Sequence, residues 1–181
     1  QINELSKSLK IFLFLTIILI TAKCASFSNY IDNETYYIQT IKWLNEYGFV
    51  KGLANLHIFF GQTSAWHITQ SAFSFSFFNP DFNDINGLCL ILINIFALLK
   101  LNSFWQNKNK SFLIIGLFPI ANFLLFQFIN IPSPDIAVYL FSFLLFYIFI
   151  KHFETIETDS YNLIFILSIF IVYIKITSFP I

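Results

Sequence analysis

The stretch DIAVYLFSFLLFYIFI, residues 135–150, decides the fold class. After Asp135 it carries no charged side chain until Lys151. About 20 apolar residues in a helix cross the ~30 Å of bilayer hydrocarbon. This run reads as such a helix, starting straight after Pro132-Ser133-Pro134. Four further runs flank it. They are Leu9 to Phe27, Ile85 to Leu101 (near the short limit), Phe112 to Ile131 and Tyr161 to Ile176. The third contains Pro119, which membrane helices tolerate as a kink.

Composition agrees. Hydrophobic residues make up 57% of the 181-residue chain and charged ones 11%, against roughly 25% charge in soluble domains. One core of this size does not hide five long apolar runs. The expected fold is therefore all-α, an integral membrane helical bundle of about five transmembrane helices with amphipathic interfacial helices in the first outer loop. Residues 1–181 form a single transmembrane domain. Its chain lacks Met, begins at Gln1 and breaks off at Ser178-Phe179-Pro180-Ile181 just after a run, so it is expected to be incomplete. Net charge is zero, which argues against a nucleic-acid partner and leaves membrane lipids as the expected surroundings. Every basic residue is Lys, and Phe numbers 26, a pattern of coding bias rather than chemistry.

Lysines give the orientation. Lys7 and Lys10 precede the first run, Lys100, Lys108 and Lys110 lie around the second connection, and Lys151 follows the fourth run. With five spans these all fall on one side, read as cytoplasmic. Residues 28–84 and the turn 130–134 then lie outside. A cleaved secretory signal is the alternative reading of the first run. Within the outer segment, residues 63–78 are open to two readings. Ser64, His67, Ser71 and Ser74 form a polar stripe and Trp66, Phe73 and Phe77 another face, which suits a helix lying in the interface better than a further span.

The polar segment from Tyr30 to Trp66 carries most of the functional signal. Asp32 and Asn33 suit a helix start, Tyr37, Ile41 and Leu44 recur at helical spacing, and Gly48 is a stop. Asp32 and Glu34 should then stand at the outer mouth of the bundle, with Asp135 at a matching depth. Each aspartate reads equally as a helix cap. Cys24 and Cys89 fit neither a disulfide framework nor a metal site. His57 and His67 have no recognised metal spacing, and His152 with Glu154 and Glu157 reads as a solvated turn. Tyr139, Tyr147 and Tyr173 read as packing or interface anchors.

Asp32-Asn33-Glu34, Tyr36-Tyr37, Lys42-Trp43, Tyr47-Gly48, Gly52-Leu53-Ala54-Asn55-Leu56-His57 and Ser64-Ala65-Trp66 resemble the first outer loop of multi-span bacterial envelope proteins similar to the GT-C glycosyltransferase superfamily. The resemblance implies an enzyme of the bacterial inner (cytoplasmic) membrane. It implies transfer of a sugar from a polyprenyl-phosphate-linked donor to a glycan, lipid or protein acceptor at the non-cytoplasmic face. Asp32, Glu34 and Asp135 are then the catalytic candidates, a carboxylate taking the acceptor proton. Tyr36, Tyr37, Trp43, Lys51, Asn55, His57 and His67 are the substrate-binding candidates. Lys51, His57 and His67 would face the leaving phosphate. A divalent cation is left open as cofactor, and no metal ligands are assigned. The chain departs from the pattern at Tyr37, where relatives have His, at Lys51, where they often have Pro, and at Phe59, where they often have a basic residue. The alternatives are a transporter or flippase of lipid-linked glycans, an assembly component, or a polysaccharide polymerase. Conduction would call for charge at mid-span depth, and the span interiors carry only Asn94, Asn122 and Gln127.

Overall fold

The computed structural model describes residues 2–28, 30–61, 64–74, 85–153 and 157–178. Among these, every regular element is helical. Phe77 and Glu154, named above, lie outside the described residues.

Helix α1 (Lys7–Cys24) opens on Ser6, whose hydroxyl accepts the Leu9 amide and so satisfies one of the free N–H groups of the first turn. Two short outer helices follow, α2 (Ile38–Tyr47) and α3 (Ala65–Ala72). The bundle continues with α4 (Ile85–Asn107), α5 (Lys110–Gly116), α6 (Asn122–Leu125), α7 (Pro134–Lys151) and α8 (Thr158–Ile174).

Three helical segments are long and apolar enough to cross a membrane: α4, the α5–α6 segment Lys110–Phe128, and α7. Only 28%, 22% and 33% of their apolar windows are buried inside the protein. Three such helices with most of their apolar surface turned outward mark this as a membrane protein. The two outermost runs differ from these three. Helix α1 carries Lys7, Lys10 and Lys23 within its 18 residues. Helix α8 has 17 residues, a length of about 26 Å at 1.5 Å per residue.

Helix α4 is the centre. Asn86, Gly87, Leu90, Asn94, Ala97 and Leu98 form its buried stripe, the spacing of one helical face. Leu90 and Ala97 pack with Ile20 of α1, Phe118 and Leu125 of the third segment, and Ile136 and Leu140 of α7. Glycines set two of the approaches. A Cβ on Gly87 would stand 2.3 Å from Cys24 Sγ, and one on Gly116 would stand 2.9 Å from Leu101 Cα. Small residues of this kind let membrane helices come together closely.

The helices alternate in direction. Asn102 at the end of α4 reaches the Glu4 carbonyl before α1, and Asn86 at its start reaches the carbonyls before α7. One end of the bundle therefore gathers Lys7, Lys10, Lys108, Lys110 and Lys151. The other, the site end, gathers α2, α3 and the start of α7.

Four details differ from the sequence expectation. The third run is more than a kinked helix. It breaks into α5, a 3-10 turn Phe118–Ala121, α6 and a second 3-10 turn Phe126–Phe128. Pro119 lacks the amide that would continue the ladder. Asp135 is not the cap of α7: Pro134 takes the first helical position, so Ser133 becomes the cap and accepts the Asp135 amide at 3.2 Å. Asp32 makes no capping hydrogen bond either, and the chain enters α2 through a π turn, Asn33–Tyr37. The fifth helix ends at Ile174, leaving Lys175 outside it as an extended C-cap.

Helix α3 packs against the rest of the protein. Its eight residues are too short to span a bilayer. Of the expected polar stripe, Ser64, His67 and Ser74 are buried and Ser71 is half-buried; on the other face Trp66 is buried too and Phe73 is exposed. Ser64 Oγ donates to the Ile174 carbonyl at 2.6 Å, and Asn45 of α2 donates to Ser74 Oγ at 3.1 Å. Tertiary hydrogen bonds thus engage both ends of this polar stripe.

Candidate functional site: an acidic-mouthed apolar cleft

A cleft of about 590 Å³ opens at the site end, within the range of ligand pockets. One wall is the broken third segment, with Phe118, Ala121, Leu124, Leu125 and Phe128. Facing it, Ile136, Tyr139 and Phe143 of α7 descend one turn at a time from Asp135. Tyr30, Asp32 and Tyr37 of the outer segment form the rim, and Tyr30 meets Phe128 edge-on at 5.2 Å. Leu124 is 70% exposed and Tyr139 64%, so the cleft is open along this side.

Besides the tyrosine hydroxyls, the polar lining comes from Gln127 and, at the mouth, from Asp32, Ser133 and Asp135. Lys175, the C-cap of α8, forms an ion pair with Asp135 there. Its two partners are 40% and 46% exposed, so this is a solvated, exchangeable pair. Ser133 Oγ also donates to Asp135 Oδ2 at 3.4 Å. Behind the rim, the Tyr36 phenol is raised well above its ordinary range by burial, by its hydrogen bond with Tyr37, and by the negative charges of Asp32 and Asp135. It stays protonated, and both aspartates are close enough for it to feel their charge.

The mouth is held by Asn86, which is fully buried. Its amide donates to the carbonyls of Ile131 (2.6 Å) and Ser133 (3.1 Å), and its oxygen accepts Trp66 Nε1 (2.9 Å). One side chain thus ties α3, α4 and the turn before α7 together. Deeper in the bundle, Asn94 and Asn122 exchange amide hydrogen bonds of 2.9 and 2.7 Å, fixing the start of α6 to α4.

The residues singled out from sequence separate into groups. Asp32, Asp135 and Tyr37 line the cleft together. Tyr36 is buried beside them, 4.9 Å from the Phe59 ring. Glu34 is exposed, faces Asn33 and is not in the lining. Trp43 stacks on Tyr47 at 5.2 Å, away from the cleft. Lys51, Asn55 and His57 are exposed on the turns after α2, with His57 5.2 Å from Phe59. His67 is buried, 5.3 Å from Tyr37, and burial pushes its imidazole down to about 4. Of the three cations or histidines expected to meet a phosphate, none lines the cleft.

Sequence reasoning missed Lys175, Ser133, Asn86 and Gln127 as site residues. Lys175 had a legible signal, since adjacent antiparallel spans bring the end of the fifth run to the start of the fourth. Among the described residues no group of three or more His, Cys, Asp or Glu converges on a metal-sized point. Asp32 and Asp135 are the two carboxylates in the cleft lining. No curated protein and no solved structure matches the chain. Over its whole length, residues 1–181, the chain matches the model of the family described as a domain of unknown function, DUF8201, and it belongs to that family.

Proposed function

We propose that this protein is a multi-pass enzyme of the bacterial inner membrane that transfers a sugar from a polyprenyl-phosphate-linked donor, in the manner of the GT-C superfamily. One observation carries the reading. Asp32 and Asp135, from distant parts of the chain, line the polar mouth of one apolar cleft that is open along one side. A lipid-linked substrate has the same division, with a long apolar chain and a polar head. The α7 wall runs from Asp135 to Phe143, about 12 Å along the helix, enough for several isoprene carbons.

In this reading α1 and α8 complete five crossings, the lysine end is cytoplasmic, and the cleft mouth faces out. The acceptor hydroxyl attacks the anomeric carbon. The carbon–oxygen bond to phosphate breaks, and the phosphate leaves with the electron pair. Asp32 takes the acceptor proton. Lys175 meets the charge on the leaving phosphate, in place of Lys51, His57 and His67. Asp32 and Asp135 would hold a divalent cation if one serves the reaction. A flippase is the weaker alternative, because the one charged side chain well inside the three long apolar spans, Lys100, lies toward the lysine end, and the deeper amide pair Asn94–Asn122 satisfies itself.

A photoreactive polyprenyl-phosphate sugar, added to the full chain in nanodiscs, tests the reading. Label on the walls between residues 118 and 143, competed away by unlabelled donor, is the expected result. Label confined to the outer lipid-facing surface, or insensitive to competition, would remove the cleft as the donor site.

A further inference from the structure

Between α2 and α3 lies a second, smaller cavity of about 60 Å³. Trp43, Leu44 and Phe60 give it apolar walls, and Thr40, Ser64 and His67 supply polar groups. Ser64 is already engaged, donating to the Ile174 carbonyl and accepting the Trp66 amide. His67 and Thr40 are not. His67 is 3% exposed, and neither ring nitrogen has a hydrogen-bond partner in the protein. The buried Thr40 Oγ1 has none either. Leaving buried donors and acceptors unmade is costly, and native proteins satisfy nearly all of them with protein or ordered water.

We propose that this cavity is a binding site for water, bridging Thr40 of α2 to His67 of α3. The chemistry selects the ligand. No lining side chain carries a formal charge, so neither a cation nor an anion finds a counter-charge. A neutral imidazole offers one donor and one acceptor, and a hydroxyl offers both. Water complements this set. A water needs about 10–15 Å³ of such space, so one to a few fit, while a sugar ring does not. Cavities that stay dry are lined by apolar groups alone, which this one is not.

The site also has a place in the architecture. The His67 ring packs 5.3 Å from Tyr37, and Tyr37 lines the large cleft. Water held by Thr40 and His67 therefore fixes the α2–α3 contact directly behind a wall of the candidate site. His67 is a positioning residue in this scheme. The inference does not depend on the reaction proposed above.

Thermal unfolding of the full chain in detergent tests it, with Thr40→Val, His67→Phe and the double variant. A bridging water makes the two groups interdependent. Each single change then lowers Tm, and the double variant loses clearly less than the two losses added. Strictly additive losses, or a rise in Tm on either single change, would overturn the proposal, since removing an unsatisfied polar group from a dry cavity is favourable. Where a variant fails to fold, a high-resolution experimental density map of the unaltered protein decides instead. A peak within hydrogen-bond distance of both Thr40 Oγ1 and a His67 ring nitrogen is expected, and an empty cavity contradicts the site.

Discussion

Lys175, the residue that closes α8, forms an ion pair with Asp135 in the first turn of α7, at the mouth of the cleft. Both side chains are close to half exposed, so the pair is screened and contributes at most about 1 kcal/mol to folding. Lys175→Ala should therefore leave Tm within a few degrees of the unaltered protein. If Lys175 meets the donor phosphate, the same change should weaken donor binding by at least about tenfold, the usual scale for losing one charge-assisted contact. Isothermal titration with a short-chain polyprenyl-phosphate sugar separates the two effects.

Asn86→Leu should be among the most damaging single changes at the site end. It strands Trp66 Nε1 and the carbonyls of Ile131 and Ser133, all of which Asn86 now satisfies. A stranded buried group costs about 1–3 kcal/mol. A loss of several kcal/mol in denaturant unfolding is expected, with α3 detaching first in hydrogen exchange. Unchanged protection of α3 would show that its anchorage lies elsewhere.

Much of this architecture was legible in the sequence, and the reasons for the rest are particular. Helices α4 and α7 are long, apolar and bounded by polar residues, so length alone locates them. The break in the third run was readable only as a kink at Pro119, and the Asn122 link to Asn94 that holds α6 beyond it pairs two distant residues. Asp32 and Asp135 were both singled out for their positions at span ends. Their sharing of one cleft, and the exclusion of Glu34, depend on which way the π turn Asn33–Tyr37 faces, and no local pattern encodes that. The polar stripe on α3 was seen, but its direction was not, since a stripe bonded to protein and one bonded to water have the same spacing.

The Asn94–Asn122 pair makes a prediction about sign. Asn122→Leu leaves the buried Asn94 oxygen without its donor, and Asn94→Leu leaves the half-buried Asn122 amide without its mate. The double Leu variant removes both. Each single change should destabilise by about 1–2 kcal/mol, and the double variant by less than their sum. Unfolding of the three variants in the same detergent measures the coupling.

Gly87→Ala should be rescuable and Gly116→Ala should not. The added Cβ at Gly87 meets Cys24 Sγ at 2.3 Å and Cys24 Cβ only at 3.8 Å, so Cys24→Ala relieves the clash. At Gly116 the obstacle includes the Leu101 backbone, at 2.9 Å, which no side-chain change removes. Overpacking of this kind costs about 1–3 kcal/mol, measured as a drop in Tm that the second-site change restores only at Gly87.

Stability should fall with acid through His67. Its folded-state value, about 4, lies below the ordinary 6.5 because burial opposes the charged ring. Above pH 6.5 the imidazole is neutral in both states and nothing is lost. Between pH 6.5 and 4 the unfolded chain takes up a proton that the folded chain refuses, so stability declines by on the order of 3 kcal/mol and then levels off. His67→Gln should flatten that part of the pH profile. An unchanged profile would mean that another group governs it.

Transfer of a radiolabelled sugar from a polyprenyl-phosphate donor, catalysed by the purified protein in nanodiscs, tests the central claim most directly. The account predicts measurable transfer that falls at least a hundredfold in Asp32→Asn and in Asp135→Asn, with both variants folded. Transfer that survives both substitutions, or folded protein that moves no sugar from any polyprenyl-phosphate donor, would contradict it.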